Sequence, residues 1–179
     1  KSRAADKKAF VMWQPHIAKA LKEPGYKVLL DSSQLKGYIV DVLVAERSFL
    51  KENPSLIQTF TEGYFRALFH YQNKSNGIQT LITQDANLLD SEKLDSQLAN
   101  AVAKGVQWKN TVDNYSHFGL EGRQASVNHP YLEDMIGNIM GVLIKTKSIA
   151  TDPLNGQYNT LYYDQVLKAL KASQFHPGQ

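Results

Sequence analysis

The feature that most constrains the fold is a nearly continuous run of β-branched and other apolar residues at 38–44, which only Asp41 interrupts. A run of this kind is typical of a strand that is covered on both faces of a sheet. Shorter apolar runs at residues 9–13 and 26–30 flank a segment with helical spacing that begins near Pro15. This alternation of strands and helices predicts an α/β fold.

The rest of the chain has mainly helical patterns. Asn53 and Pro54 predict the start of a long helix, as an N-cap followed by a proline at the first helical position. Beyond residue 73 the spacing stays helical, with Gly105 as a stop signal, a further helix starting at residues 128–130, and a last helix over roughly residues 161–172. We therefore expect a helix-rich C-terminal half.

Composition excludes several classes of function. The 179 residues are 42% hydrophobic and 21% charged, the balance of a globular chain that can bury a core. The 20 basic and 17 acidic residues are interspersed, so no basic stripe suggests a nucleic-acid partner. No apolar run approaches the roughly 18 residues that span a bilayer. Cysteine is absent, which excludes disulfides, thiolate metal sites and a cysteine nucleophile.

Four motifs in the first 75 residues occur in a distinctive order, at residues 10–15, 25–29, 39–44 and 49–54. Together they resemble the nitrate/sulfonate/taurine-type substrate-binding proteins of ABC importers. Gln14 stands where that family usually has Glu, and Val40 where Pro is common. The resemblance covers residues 5–75 well and 100–178 loosely. The segments at 105–111 and 114–119 are similar to a subgroup in which this domain precedes an outer-membrane-protein-A-like peptidoglycan-binding domain.

The resemblance implies part of a type II periplasmic-binding-protein fold, with a three-layer lobe and a mixed sheet. Residues 1–30 would form the end of the second lobe and the hinge crossover, and residues 31–179 the C-terminal portion of the first lobe with a helical extension. The chain, which begins at Lys1, would then be a piece of a longer protein. The implied function is capture of a small polar or anionic molecule in an interlobe cleft, for delivery to a membrane permease. The implied location is the periplasm or cell envelope, and neither catalysis nor a cofactor is expected.

The candidate ligand-binding residues are Trp13, Gln14, His16 and Asp41. The first three follow a predicted strand end, where open α/β sheets present groups to ligands. They have a structural alternative, in which Trp13 is a core residue and His16 is exposed in the first helical turn. Asp41 interrupts an apolar strand, where a buried carboxylate needs a partner. Its role is therefore either a ligand or hinge contact or a structural hydrogen-bond acceptor.

Other polar groups have a structural interpretation beside a functional one. The hydroxyls of Ser32 and Ser33 suit either an anion or a turn. Asp113, Tyr115 and His117 suggest a general acid–base cluster, but the chain has neither cysteine nor a serine nucleophile motif, which disfavours it. Asn110, Tyr115 and Trp108 are instead interpreted as packing and capping groups. An acidic face lacks the spacing of a calcium loop and is interpreted as solvated surface; it consists of Asp85, Asp90, Glu92 and Asp95.

Two further functions stay open. A non-transport interaction module of the cell envelope would carry an exposed apolar patch on the helical half. An enzyme similar to the yeast-type thiamine-pyrimidine synthases would share the predicted fold, but that family has a cysteine-rich segment and this chain has no cysteine. For either transport or interaction, exposed strand surface predicts a companion fragment or a homodimer that covers the strands.

Overall fold

A computed structural model describes residues 9–88, 93–122 and 130–179. Within these ranges the structure is helical, with α1 (His16–Ala20), α2 (Arg47–Glu52), α3 (Pro54–Asn73), α4 (Gly77–Ala86), α5 (Ser96–Gly105), α6 (Thr111–His117), α7 (Leu132–Lys145) and α8 (Gln165–Ala172). Short 3₁₀ turns occur at Ser32–Gln34 and Tyr158–Thr160. The predicted helix start at 128–129 lies outside the described residues, as do Asp90 and Glu92 of the predicted acidic face.

The prediction of an α/β fold with a mixed sheet is wrong. The described residues contain no β-strand, and the three apolar runs predicted as strands, at residues 9–13, 26–30 and 38–44, have irregular backbone. Most of their large apolar side chains are exposed. A strand needs a neighbouring strand for its backbone hydrogen bonds, and strand-forming side chains do not supply one. The type II periplasmic-binding architecture is therefore not the structure of this chain.

The chain divides into two compact units. The first comprises the described parts of residues 1–29 and 71–107 and contains α1, α4 and α5. Its core consists of Ala18, Leu94, Leu98 and Ala99, with Ile82, Ala86 and Val102 packed around them. Asp95 caps α5 by accepting the Leu98 N–H at 2.8 Å. Its carboxylate also binds Lys22 Nζ at 2.7 Å, which ties the end of α1 to the start of α5.

The second unit comprises the described parts of residues 30–70 and 108–179. Its core brings together residues far apart in sequence: Phe65, Tyr115, Val166, Leu167 and Leu170. These come from α3, α6 and α8, whose apolar faces meet. Leu170 is completely buried.

Several helix predictions are confirmed and their ends corrected. The long helix begins at Pro54, and the Asn53 carbonyl accepts the Ile57 N–H at 3.1 Å. Asn53 also ends α2, and its side chain serves that end, with Nδ2 donating to the Phe49 carbonyl at 3.0 Å. α5 ends at Gly105, as predicted. The last helix begins at Gln165, four residues later than the predicted 161, and ends at Ala172 as predicted. Among the described residues, no helix has both the length and the apolar character to cross a membrane.

Candidate functional site

Three of the predicted ligand-binding residues lie together at the start of α1, in the first unit. The Trp13 carbonyl accepts the Ile17 N–H at 3.2 Å, while its indole is 66% exposed. Gln14 Oε1 accepts the Ala18 N–H at 3.3 Å. His16 is the first residue of α1 and is exposed. His16 thus lies exposed in the first helical turn, where the structural alternative places it, whereas Trp13 is not the core residue of that alternative.

The Gln14 side chain makes structural contacts within the first unit. Besides accepting from Ala18, its amide lies against Gly105, where a Cβ would come within 3.0 Å of Gln14 Nε2. The absence of a side chain at Gly105 thus lets the end of α5 approach the start of α1. Trp13 and His16 are the two predicted residues of this group whose side chains are left accessible.

Asp41, the fourth predicted residue, belongs to the second unit and is exposed in irregular backbone. The expectation that it lies buried in a strand is wrong, because the strand does not form. An exposed carboxylate is hydrated and needs no protein partner.

The suggested acid–base cluster on α6 has structural roles. Asp113 and Asn110 form a capping box, in which each side chain accepts the other residue's backbone N–H at 3.0 and 2.9 Å. His117 Nδ1 lies 2.8 Å from the Pro130 carbonyl. Tyr115 is buried in the core. The structure therefore favours the packing and capping interpretation.

Ser33 also has a local role. Its N–H and its hydroxyl both bind Asp31 Oδ1, with the N–H at 2.8 Å, and this closes the 3₁₀ turn at Ser32–Gln34. These bonds lower the pKa of Asp31, the side-chain bond most. The turn interpretation is therefore right for Ser33.

An open cavity of about 460 Å³ in the second unit offers a different candidate site. We call it the α7 cleft; it is lined by Glu133, Asp134, Gly137, Asn138 and Tyr158. The first four residues come from the start of α7, and Tyr158 comes from a 3₁₀ turn. A Cβ at Gly137 would lie 3.0 Å from Tyr158 Cε2, so the glycine lets the Tyr158 ring pack directly against α7.

A carboxylate outside the cleft fixes the loop that carries Tyr158. Asp152 accepts the N–H groups of Leu154 and Gly156, each at 2.8 Å, and the Tyr158 hydroxyl at 3.0 Å. These bonds lower the pKa of Asp152, the Leu154 bond most, and the bond to Asp152 raises the pKa of Tyr158. Asn155 and Gly156 adopt left-handed φ values of 49° and 77°, which turn the chain back toward α7.

The two carboxylates of the cleft differ in their partners. Glu133 Oε1 accepts the Tyr162 hydroxyl at 2.6 Å; burial, followed by this bond, raises the pKa of Tyr162 to about 12. Asp134 and Asn138 are exposed, and neither side chain has a hydrogen-bond or ionic partner among the described residues. No basic residue lines the cleft. The cleft therefore presents two groups that other residues hold in place, the Glu133 carboxylate and the Tyr158 hydroxyl. Beside them lie the Asp134 carboxylate and the Asn138 amide, which have no such partner.

The sequence contains signals for parts of this site but none that joins them. Glu133 and Asp134 fit the positive end of the α7 dipole, and residues 151–156 have the composition of a turn. Neither pattern indicates that the loop places Tyr158 on Gly137. Where the structure describes the chain, no group of three His, Cys, Asp or Glu residues could hold a metal ion.

Comparisons with known proteins identified no relative of this chain. No protein-family model, no curated protein and no solved structure matches the chain.

Proposed function

We propose that this chain is a binding module, without catalytic activity, that captures a small polar solute in the α7 cleft. The observation that carries the proposal is the cleft itself. Its volume of about 460 Å³ lies within the range of small-molecule sites. Its free hydrogen-bonding groups, Asp134 and Asn138, lie beside a wall held rigidly by Asp152.

The charge of the cleft selects among solutes. Ionised Glu133 and Asp134 repel an anion, and no Lys or Arg lines the cleft to offset them. The ligand is therefore a neutral polar molecule or one that carries an amino group, rather than an anion such as nitrate or a sulfonate. A protonated amine would make charge-assisted hydrogen bonds with Asp134 and lie against the Tyr158 ring.

The role in transport rests on the sequence. The four ordered motifs at residues 10–15, 25–29, 39–44 and 49–54 resemble solute-binding proteins of ABC importers. We accordingly propose that the captured solute passes to a membrane permease from the periplasm or cell envelope. The α7 cleft supports the capture step. The delivery step rests on the order of the motifs alone, since three of them do not form the strands that the resemblance implies.

Isothermal titration calorimetry tests the capture step. The panel is ethanolamine, putrescine, lysine, taurine, nitrate and an alkyl sulfonate. We expect heat from ethanolamine, putrescine and lysine, which carry net positive charge, and none from nitrate, the alkyl sulfonate or zwitterionic taurine, whose sulfonate the two cleft carboxylates repel. Asp134→Asn should weaken amine binding by about tenfold, since it removes one charge-assisted contact. The matched control is Asp85→Asn, which neutralises an exposed carboxylate on α4 in the first unit.

Two outcomes would contradict this assignment. Binding of the anions with unchanged affinity in Asp134→Asn would exclude the α7 cleft as the site. Loss of binding in Trp13→Ala, with Asp134→Asn unaffected, would place the site at the start of α1. A chain that binds none of the six solutes would refute capture of an amine.

A second function is favoured by a separate observation. Large apolar side chains are exposed in irregular backbone at residues 28–30 and 42–44, as expected for a module that binds another protein chain. This interaction function predicts that addition of a partner chain, rather than of small solutes, changes the fluorescence and the stability of the protein.

A further inference from the structure

The turn that carries Tyr158 into the α7 cleft is held from two sides. On one side, Asp152 accepts the Tyr158 hydroxyl at 3.0 Å. Within the turn, the Thr160 N–H and hydroxyl both bind the Gln157 carbonyl, at 3.1 and 2.7 Å. On the other side, the Thr160 carbonyl accepts a hydrogen bond from Nη2 of Arg47 on α2, 113 residues away in the sequence. The wall of the cleft therefore has a second anchor besides Asp152.

Arg47 does not stabilise α2 by its position. It is the first residue of α2, and a cation at the N-terminus of a helix opposes the helix dipole. A hydrogen bond from a charged donor to a carbonyl is, by contrast, one of the stronger polar contacts in a protein. Arg47 and Thr160 both belong to the second unit. The contribution of Arg47 is therefore to the turn and not to its own helix.

α2 has little packing of its own. It has six residues, none of them buried, and its N-cap residue Glu46 makes no side-chain capping bond. Five of the six residues are exposed, and Leu50 is half-buried. Helices this short are marginal in isolation, because nucleation is unfavourable and few bonds follow it. The formation of α2 is thus finely balanced, and Arg47 connects that balance to the wall of the cleft.

We propose that Arg47 is a positioning residue of the α7 cleft, through which α2 sets the affinity of the cleft for amines. With α2 formed, Arg47 holds the Thr160 carbonyl, and the Tyr158 ring stays against Gly137. With α2 unravelled, the turn loses this anchor, and part of the binding free energy is spent on ordering it again. This inference rests on the proposed capture of an amine in the α7 cleft.

The coupling acts in both directions. If formation of α2 raises the affinity for an amine, the bound amine stabilises α2 by the same factor. The backbone N–H groups of Leu50 and Asn53 bind the Glu46 and Phe49 carbonyls, so their hydrogen exchange reports the formation of α2. Saturating putrescine should slow this exchange in the unmodified chain and leave it unchanged in Arg47→Met.

Variants of Arg47 test the positioning role by isothermal titration calorimetry with putrescine. Arg47→Met keeps the length of the side chain but removes its donors, and should weaken binding by about tenfold. Arg47→Lys keeps a cationic donor and should bind within about threefold of the unmodified chain. The matched control is Arg66→Met, because Arg66 also donates to a backbone carbonyl, that of Gln179, but does not line the cleft. It should bind like the unmodified chain, and far-UV circular dichroism checks that each variant folds.

A pair of variants at Lys51 tests the dependence on α2. Lys51 is an exposed residue of α2. Lys51→Ala and Lys51→Gly remove the same charge but differ about fivefold in the helix equilibrium, because glycine has the lower helix propensity. Lys51→Gly should therefore bind putrescine up to about fivefold more weakly than Lys51→Ala. This difference should disappear in an Arg47→Met background, in which α2 is no longer bonded to the turn.

The outcomes separate this inference from the proposed function. An unmodified chain that binds no amine refutes the capture of an amine and this inference with it. Putrescine binding that Arg47→Met leaves unchanged, or that Arg66→Met weakens equally, refutes the positioning role but not the capture. Equal binding by the two Lys51 variants, or α2 exchange that putrescine does not slow, refutes control by α2.

Discussion

Replacing Tyr115 with Phe should stabilise the second unit. The side chain is 7% exposed and packs in the core with Phe65 and Leu170, and its hydroxyl meets no hydrogen-bond partner among the described residues. Burial, with a smaller contribution from Glu121, raises the pKa of Tyr115, because the phenolate would be poorly hydrated. A buried hydroxyl without a partner costs about 1–3 kcal/mol. Removing the oxygen and keeping the ring should therefore raise the free energy of unfolding by about 1 kcal/mol.

Urea denaturation followed by tryptophan fluorescence measures this change. The chain has two tryptophans, so a Trp13→Phe background leaves Trp108 as the reporter for the second unit. The matched control is Tyr64→Phe, which removes an exposed hydroxyl and should change the free energy by less than about 0.5 kcal/mol. A loss of about 1 kcal/mol or more in Tyr115→Phe would show that the hydroxyl is hydrogen-bonded, and would refute the reasoning.

Three further predictions concern the second unit. Leu170→Ala should lower its free energy of unfolding in urea by about 2–5 kcal/mol, because Leu170 is completely buried, whereas Leu161→Ala at an exposed position should change it by less than about 0.5 kcal/mol. The stabilisation from Asp152, whose pKa is lowered from 3.8, is complete above that value and lost as the pH falls through the lower folded pKa. Asp152→Asn should therefore flatten the decline of Tm in this acid range. Because the pKa of Tyr162 is raised to about 12, its stabilisation is present below the usual tyrosine pKa of about 10 and lost as the pH rises toward 12. The chain has nine tyrosines, so the absorbance difference between the unmodified chain and Tyr162→Phe isolates this phenolate. That difference should develop late in an alkaline titration and earlier in a Glu133→Gln background; a difference that develops near pH 10 would contradict the assignment.

The candidate site shows which structural features local sequence patterns can predict and which they cannot. The dipole match of Glu133 and Asp134 and the turn at residues 151–156 follow from side-chain type and spacing, because both involve neighbours in the chain. The α7 cleft depends on contacts between residues far apart. Tyr158 reaches Gly137 because Asp152 fixes the loop between them, and no periodicity in either segment encodes that approach.

Sequence alone determined the helices that have strong local signals. The 3.6-residue period after Pro54, the glycine at 105 and the capping residue Asn110 each act on neighbouring residues, and the structure contains the corresponding helix start, helix end and N-cap. The part of Asp113 in the capping box was not predicted. The absence of cysteine likewise excluded thiol chemistry before any fold was known.

Only the tertiary structure determined that the apolar runs at residues 26–30 and 38–44 do not form strands. Their side chains favour strands, but a strand is stabilised by a partner elsewhere in space, and the described part of the chain supplies none. The same dependence left Asp41 exposed and placed Tyr115 in the core. Helices satisfy their backbone hydrogen bonds locally and could be read from the sequence, whereas strands and sites depend on partners that only the three-dimensional arrangement provides.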